Sequence, residues 1–367
     1  MISAKELLKT LYKNKINFFV GVPDSVLKSL SRSFQNLSKS KHIIAANEGS
    51  AVSLGIGYYL STKKTPCIYL QNAGLGNAIN PLISIAHKKV YSIPLLLMIG
   101  WRGSPGIKDE PQHMVKGKIT PKLLKLLNID YCILSNKKDL PKLDKLIKKS
   151  NQTKEIIACL IQHKSLQPER NLFRIKKRHI SILRKDFIIE FLKIIPKNSK
   201  IVSTTGFTSR ELMQIRKEKR LYRGKDFYMV GGMGHSSMVA MGYSLYSKNQ
   251  TFCLDGDGSL LMHLGSMRTL GYFGDNKLKH ILLNNNSHES VGGQPTTAST
   301  IDFRRLCQSL GYKNYYKISK IKEIKPILKK MINSKGPSFL EVLISTGTLT
   351  NLSRPKNLIK IKRNFML

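Results

Sequence analysis

Two short runs of this sequence carry residue types that can do chemistry. Asp255-Gly256-Asp257-Gly258-Ser259 follows an apolar run and opens a helical pattern, and Asn284-Asn285-Asn286-Ser287 ends the next apolar run. Glycines let a backbone come close to an anion, and a helix N-terminus offers unpaired N–H groups to phosphate oxygens. Asp257 and Asn285 then lie at the C-terminal ends of what read as adjacent parallel strands, the crevice in which open α/β sheets bind ligands. A carboxylate, an amide oxygen and a backbone carbonyl are hard donors suited to Mg2+, with phosphate and water completing an octahedron. Gly-Asp-Gly alone is a common turn. The specific signal is its place between strand and helix, with Asn285 following Asp257 by 28 positions. A third run, Ala45-Ala46-Asn47-Glu48-Gly49-Ser50-Ala51, puts one carboxyl among small apolar residues at a strand-to-helix junction. Buried there, Glu48 has a raised pKa and can donate a proton in a hydrogen bond. The competing reading is a helix-end charge that favours the macrodipole.

These residues need a scaffold, and the chain supplies alternating patterns for one. In the first half, helical spacing at 7–13, 25–34, 49–60 and 78–87 alternates with strand-like runs at 17–21, 42–45, 67–70 and 94–99. Further strands are expected at 130–134 and 156–161. Segment 166–180 has no periodicity and holds Pro168 and a basic run, so it reads as a linker. The alternation then restarts, with strands at 200–203, 251–255, 280–284 and 338–343. Helical patterns fall at 187–195, 238–245, 260–270, 303–310 and 321–331. Strands separated by helices imply right-handed βαβ units and parallel sheets. The expectation is α/β: two doubly wound parallel-sheet domains, 1–165 and 181–367, joined by the linker.

Composition agrees with that class. The 367 residues are 41 % hydrophobic with 26 glycines, an ordinary globular balance, and two domains suit the length. No apolar run approaches the roughly 20 residues that cross a bilayer. The start, Met1-Ile2-Ser3-Ala4-Lys5-Glu6-Leu7-Leu8, is amphipathic without the apolar core of a signal peptide. Five cysteines form no CxxC pair and read as reduced core residues, so the expected location is cytoplasmic. The net charge is +40 because acids are scarce, 22 against 62 bases. A nucleic-acid-binding protein is the alternative class that charge suggests, but the lysines are scattered and there is one Trp, where stacking surfaces are expected. Scarcity of acids also means that an Asp or Glu in an apolar or glycine-rich stretch needs a reason to be there.

The spacing from Gly256-Asp257-Gly258 to Asn284-Asn285 resembles the diphosphate-binding motif of thiamine-diphosphate enzymes. The resemblance implies Asp257, Asn285 and the Ser287 carbonyl as ligands of Mg2+, with Gly256, Gly258 and Ser259 at the coenzyme's diphosphate. Gly231-Gly232-Met233-Gly234 is similar to the coenzyme-cradling loop, with Gly232 and Met233 against the rings, and Thr204-Thr205-Gly206 to the loop in which Thr205 and Gly206 reach the diphosphate. Glu48 becomes the acid at the aminopyrimidine. The motifs Gly21-Val22-Pro23-Asp24-Ser25, Gln71-Asn72-Ala73-Gly74-Leu75-Gly76-Asn77, Gly100-Trp101-Arg102-Gly103, Asp109-Glu110-Pro111-Gln112-His113 and His288-Glu289-Ser290-Val291-Gly292-Gly293-Gln294 narrow the likeness. They resemble the phosphonopyruvate decarboxylase family, to which the sulfopyruvate decarboxylases are close. That family implies a pyrimidine-binding and a diphosphate-binding domain with no middle domain. It implies decarboxylation of 3-phosphonopyruvate to phosphonoacetaldehyde, the alternative being sulfopyruvate or another small anionic 2-oxo acid. It implies self-association as a homodimer or higher oligomer, with the active site between subunits, and no membrane or nucleic-acid partner. His113, expected in a loop, is the candidate for substrate contact or proton transfer. Arg102 and Arg210 are candidates for the substrate's anionic groups, and His235, His288 and Glu289 for its surroundings. Asn286 departs from the pattern, which more often has a small residue there.

Overall fold

The computed structural model describes residues 1–34, 37–168 and 181–367. The chain divides into two compact units, 1–174 and 175–367. The first holds six strands, β1 (Phe19–Gly21), β2 (His42–Ile44), β3 (Cys67–Gln71), β4 (Leu96–Trp101), β5 (Asp130–Leu134) and β6 (Ile157–Gln162). All pair in parallel, in the order β2-β1-β3-β4-β6-β5. The second holds β7 (Lys200–Ser203), β8 (Lys225–Tyr228), β9 (Thr251–Gly256), β10 (Leu278–Asn284), a two-stranded ribbon of β11 (Ser287–His288) and β12 (Gln294–Pro295), then β13 (Asn314–Ile318) and β14 (Ser338–Leu343). Its main sheet, β13-β14-β10-β9-β7-β8, is also fully parallel. Read from the other edge, it repeats the order of the first sheet strand for strand. The expected pair of doubly wound α/β domains is therefore observed.

Parallel strands with helices on both faces are buried on both sides, which is why they read as apolar runs and not as alternations. In β3 and β4, Ile68, Leu70, Leu97 and Ile99 enter one core, and Cys67, Tyr69, Leu96 and Met98 the opposite one. In the second unit Phe252, Leu254, Ile281 and Leu283 face one core, and Cys253, Leu278 and Leu282 the other. All five cysteines are free thiols. No helix among the described residues is long and apolar enough to cross a membrane.

In each unit the chain first moves one way along the sheet and then crosses back. The reversal falls between β1 and β3 and between β7 and β9. Crevices beyond the carboxyl ends of such strand pairs are where these sheets bind ligands. The expected linker at 166–180 lies, after its first three residues, outside the described residues. Two of those three join the first unit's N-terminus: Gln167 N–H donates to the Ile2 carbonyl at 2.8 Å and Leu166 bridges Ile2, whose own N–H donates to Ser165 at 2.7 Å.

Several helices differ from expectation. Segment 260–270 is two helices, Asp257–Met262 and Ser266–Phe273, parted at His263. His113 is not in a loop: it is the third residue of a helix, Pro111–Leu126, that starts with proline at its first position.

Candidate active site

Four loops meet at the carboxyl edge of the second sheet, and Ser259 ties three of them together. Its hydroxyl accepts from Thr204 Oγ1 at 2.9 Å, after β7, and from the Gly234 N–H at 3.0 Å, after β8. Ser259 itself follows β9, and Ser290 Oγ, beyond β10, lies 3.3 Å from where a side chain on Gly206 would begin. Gly206, Gly232 and Gly234 have φ of 89°, 60° and 89°, a region open to glycine at little cost. A Cβ on Gly258 would sit 2.8 Å from the His288 ring and 3.4 Å from the Met233 methyl. Met233 and His288 thus stand over the Gly-Asp-Gly turn. His235 stacks on His263 at 4.5 Å between ring centres.

The two candidate ligand loops are neighbours. β9 and β10 pair with Gly256 opposite Leu283, so Asp257 and the asparagine run leave the sheet side by side. Thr296, after β12, bridges them: its hydroxyl donates to Asp257 Oδ2 at 2.5 Å and its N–H to the Asn286 carbonyl at 3.0 Å. Burial pushes the Asp257 carboxyl up to about 6 despite the Thr296 hydrogen bond. Asn285 Oδ1 accepts from Ser287 N–H at 3.0 Å, and Asn285 Nδ2 donates to Glu289 at 3.0 Å. Asn286 adopts φ 55°, a left-handed conformation that asparagine tolerates better than most residues. Its departure from the expected small residue is therefore accommodated by the turn. Asn286 Oδ1 and Ser287 Oγ are buried without hydrogen-bond partners. The Cβ position of Gly256 meets nothing nearer than Thr204 Cγ2 at 4.0 Å. Buried unpaired oxygens, open space above a glycine, and a desolvated carboxylate suit a polar ligand bearing a cation. Asp257, Asn285 and the Ser287 carbonyl are the oxygens that could hold that cation.

Beneath this edge lies a cluster with no counterpart in the sequence reading. Asp255, fully buried, accepts from Gly256 N–H at 2.9 Å and lies 3.4 Å from His280 Nε2, while His280 Nδ1 meets Tyr312 Oη at 2.9 Å. Strand register brings His280 opposite Cys253, two residues before Asp255, so this network backs the Gly-Asp-Gly turn from inside the core. The sequence signal was an acid within an apolar strand.

In the first unit Glu48 is the first residue of the helix Glu48–Thr62 and is 5 % exposed. Asn47 takes the cap, accepting from Ser50 N–H at 2.9 Å, so Glu48 is free to point inward. Asn77 Nδ2 donates to its Oε2 at 2.8 Å. Burial raises its pKa, against the pull of Asn77 and of Lys116 nearby. Gly74 makes room for the carboxyl, since a Cβ there would lie 1.9 Å from Glu48 Oε1. The run 71–77 thus has a local purpose: one residue binds the acid and another clears space for it.

Asp24, between β1 and the next helix, was not singled out as a site residue. It is wholly buried at the strand reversal, accepting from Val26 and Leu27 N–H at 2.8 and 3.1 Å and from Gln71 Nε2 at 2.6 Å. Burial still raises its pKa. An acid after a buried strand in an acid-poor chain was the available clue.

Arg102 is already paired: Nε and Nη2 donate to the two oxygens of Asp109 at 2.6 and 2.5 Å, and Nη1 donates to Ser25 at 3.2 Å. His113 stands beside this group, Nε2 3.9 Å from Glu110 Oε1. Burial and the Arg102 charge lower its pKa to about 4, and the same happens by burial to His288, so both rings are neutral at pH 7. Arg210 donates to the Leu352 and Ser353 carbonyls. The structure therefore gathers Thr205, Gly206, Gly232, Met233, Gly256–Ser259, Asn285, Ser287, His235, His288 and Glu289 at one edge of the second unit. Glu48, Arg102 and His113 belong to the first.

Comparison with known proteins agrees with this geometry. Residues 1–124 match the thiamine pyrophosphate enzyme N-terminal TPP binding domain, and residues 203–342 its C-terminal TPP binding domain. The chain is 31 % identical to phosphonopyruvate decarboxylase of Streptomyces viridochromogenes, over 97 % of this chain and 92 % of that one. It is also 31 % identical to that of Streptomyces hygroscopicus, over 97 % and 91 %. A sulfopyruvate decarboxylase of Methanosarcina acetivorans is 26 % identical over 82 % of this chain and 81 % of its own. With two such units, no domain between them, and similarity along its whole length, the chain belongs to the phosphonopyruvate decarboxylase family of thiamine-diphosphate-dependent carboxy-lyases.

Proposed function

We propose that this chain decarboxylates 3-phosphonopyruvate to phosphonoacetaldehyde and CO2, using Mg2+ with thiamine diphosphate. The observation that carries the substrate is the end-to-end similarity to two phosphonopyruvate decarboxylases, with Glu48, Asp257 and Asn285 all present and buried or sheltered as the chemistry needs. Thiamine diphosphate, when bound, supplies the electron sink for loss of CO2. Asp257, Asn285 and the Ser287 carbonyl would hold the cation. Thr205, Gly206, Gly232, Gly256, Gly258 and Ser259 would line the diphosphate, and Met233 would support the rings. Glu48, whose pKa burial raises, would hydrogen-bond to the aminopyrimidine. His113, neutral and with Nδ1 buried unpaired, is positioned to move a proton at the substrate, with His288 and His235 as further candidates.

The substrate's two anionic groups call for cations. Arg102 and Arg210 can serve only by exchanging or sharing the contacts they already make, whereas Lys116, electrostatically coupled to both Glu48 and His113, adds positive potential at the first unit's edge. The domain limits are taken as 1–165 and 181–367, and the working form as a homodimer or larger. Light scattering on the eluting protein measures the latter.

The deciding assay is aldehyde release from phosphonopyruvate, sulfopyruvate and pyruvate side by side, with and without added thiamine diphosphate and Mg2+. Coenzyme- and cation-dependent turnover that favours phosphonopyruvate is expected. Equal turnover of pyruvate overturns the substrate. Preference for sulfopyruvate establishes the second reading, which the similarity to the Methanosarcina enzyme supports.

A further inference from the structure

Arg184 opens the first helix of the second unit, Arg184–Ile194, and is 4 % exposed. A guanidinium so buried requires acceptors. It has two: Nη1 donates to Glu211 Oε1 at 3.2 Å and Nη2 to Glu289 Oε2 at 2.7 Å. The same Glu289 Oε2 accepts from Asn285 Nδ2 at 3.0 Å, and its Oε1 accepts from the Gly347 N–H. Glu211 Oε1 also accepts from Leu349 N–H at 3.1 Å, so the two acids pin the loop after β14 from both sides. Both oxygens of Glu289 are thus engaged within the unit.

A side-chain amide has two orientations that differ by a half-turn. One aims an oxygen at a cation and the other aims an NH2. Glu289 accepts only, so it captures Asn285 Nδ2 and forbids the second orientation. Asn285 Oδ1 spends one lone pair on the Ser287 N–H and keeps another. Arg184 holds the Glu289 carboxyl in place for this, donating to the same oxygen that receives Asn285 Nδ2. We propose that Arg184 and Glu289 are positioning residues for the divalent cation: through Asn285 Nδ2 they fix the amide so that its oxygen faces the metal. The inference rests on Asn285 being a ligand, and it replaces the expectation of Glu289 as an acid beside the substrate. Partners that orient metal ligands typically cost about 10–100-fold in metal affinity when removed.

The test is calorimetric titration of the full-length apoprotein with Mg2+ at fixed, saturating thiamine diphosphate. Glu289→Gln is expected to weaken Mg2+ by about 10–100-fold, with turnover recovering as Mg2+ is raised. Arg184→Lys should lose affinity in the same direction but less. In an Asn285→Ala background, Glu289→Gln should have no further effect, because its route to the metal is gone. A Glu289→Gln affinity within about twofold of wild type, or the same loss with and without Asn285, overturns the inference. A fall in turnover at unchanged Mg2+ affinity also overturns it and returns Glu289 to the substrate. If Glu289→Gln does not fold, the Arg184→Lys and Asn285→Ala cycle decides in the same way. Wild-type protein that takes up no Mg2+ with the coenzyme would fail the metal assignment itself. Normal wild-type and Asn285→Ala behaviour with an indifferent Glu289→Gln fails this inference alone.

Discussion

The two units share a strand order and a reversal point, yet they furnish that point in opposite ways. Beyond the ends of β7, β9 and β10 stand glycines, hydroxyls and hard oxygen donors, with Asn286 Oδ1 and Ser287 Oγ buried and unpaired. Between β1 and β3, and at the end of β2, stand Asp24 and Glu48, buried acids bonded mainly to amides. The first arrangement suits a charged, phosphate-like group that brings a cation. The second suits a carboxyl whose pKa is raised by burial. The sheet topology therefore decides where a ligand can sit, while the few residues after each strand decide what charge it must carry.

The most direct way to break this contrast is to exchange acid for amide on each side. Glu48→Gln is expected to lower turnover by about 100–10,000-fold, the usual worth of a positioned acid, while calorimetry shows the coenzyme still bound. Asp257→Asn should instead lose Mg2+-dependent coenzyme binding in the same titration. Coenzyme binding that survives Asp257→Asn and fails in Glu48→Gln would reverse the two assignments.

A second comparison lies within one loop. Gly74→Ala collides with the Glu48 carboxyl and is expected to cost about 1–3 kcal/mol as well as most turnover. Gly76→Ala, two residues on, meets no atom within 4 Å and lies in a helix, so thermal unfolding should show it neutral or stabilising by up to about 1 kcal/mol. Equal effects at both positions would mean that the space at Gly74 is not kept for the acid.

Acidity sharpens the contrast further. Asp257 in the folded metal-free protein titrates near 6, above its ordinary 3.8. Its ionisation therefore opposes folding, and metal-free stability should fall as pH rises from about 4 to 6 and level off above. A cation reverses this, because it binds the ionised form. Mg2+ affinity should drop by about tenfold per pH unit below 6 and flatten above it, read by titration across pH. The smallest effect is expected at Asn286. Its left-handed backbone suits glycine, so Asn286→Gly should shift stability by less than about 1 kcal/mol and leave Mg2+ uptake near wild type.

Much of this was legible beforehand, for identifiable reasons. Strands buried on both faces announce themselves as apolar runs, and 200–203 and 338–343 were placed to the residue. Glycine turns and the acid at 48 stood out because acids are rare. Helices whose packing is not apolar stayed hidden. Pro111–Leu126 seats Gly117 against the Gly103 backbone and receives a Trp101 Nε1 hydrogen bond at 2.9 Å, so no apolar stripe marks it. Phe207–Lys219 buries Glu211 against Arg184, and a buried ion pair reads in sequence as surface. The partners of the arginines were hidden for a related reason. The acceptors of Arg210 lie 142 and 143 residues away, and nothing local announces them.

The hole at Gly74 constrains how such a protein can change over generations. While position 48 carries a glutamate, the neighbouring loop accepts a hydrogen atom there and no methyl group, so the two codons cannot drift independently. An alanine at 74 is therefore expected only where position 48 no longer carries a carboxyl.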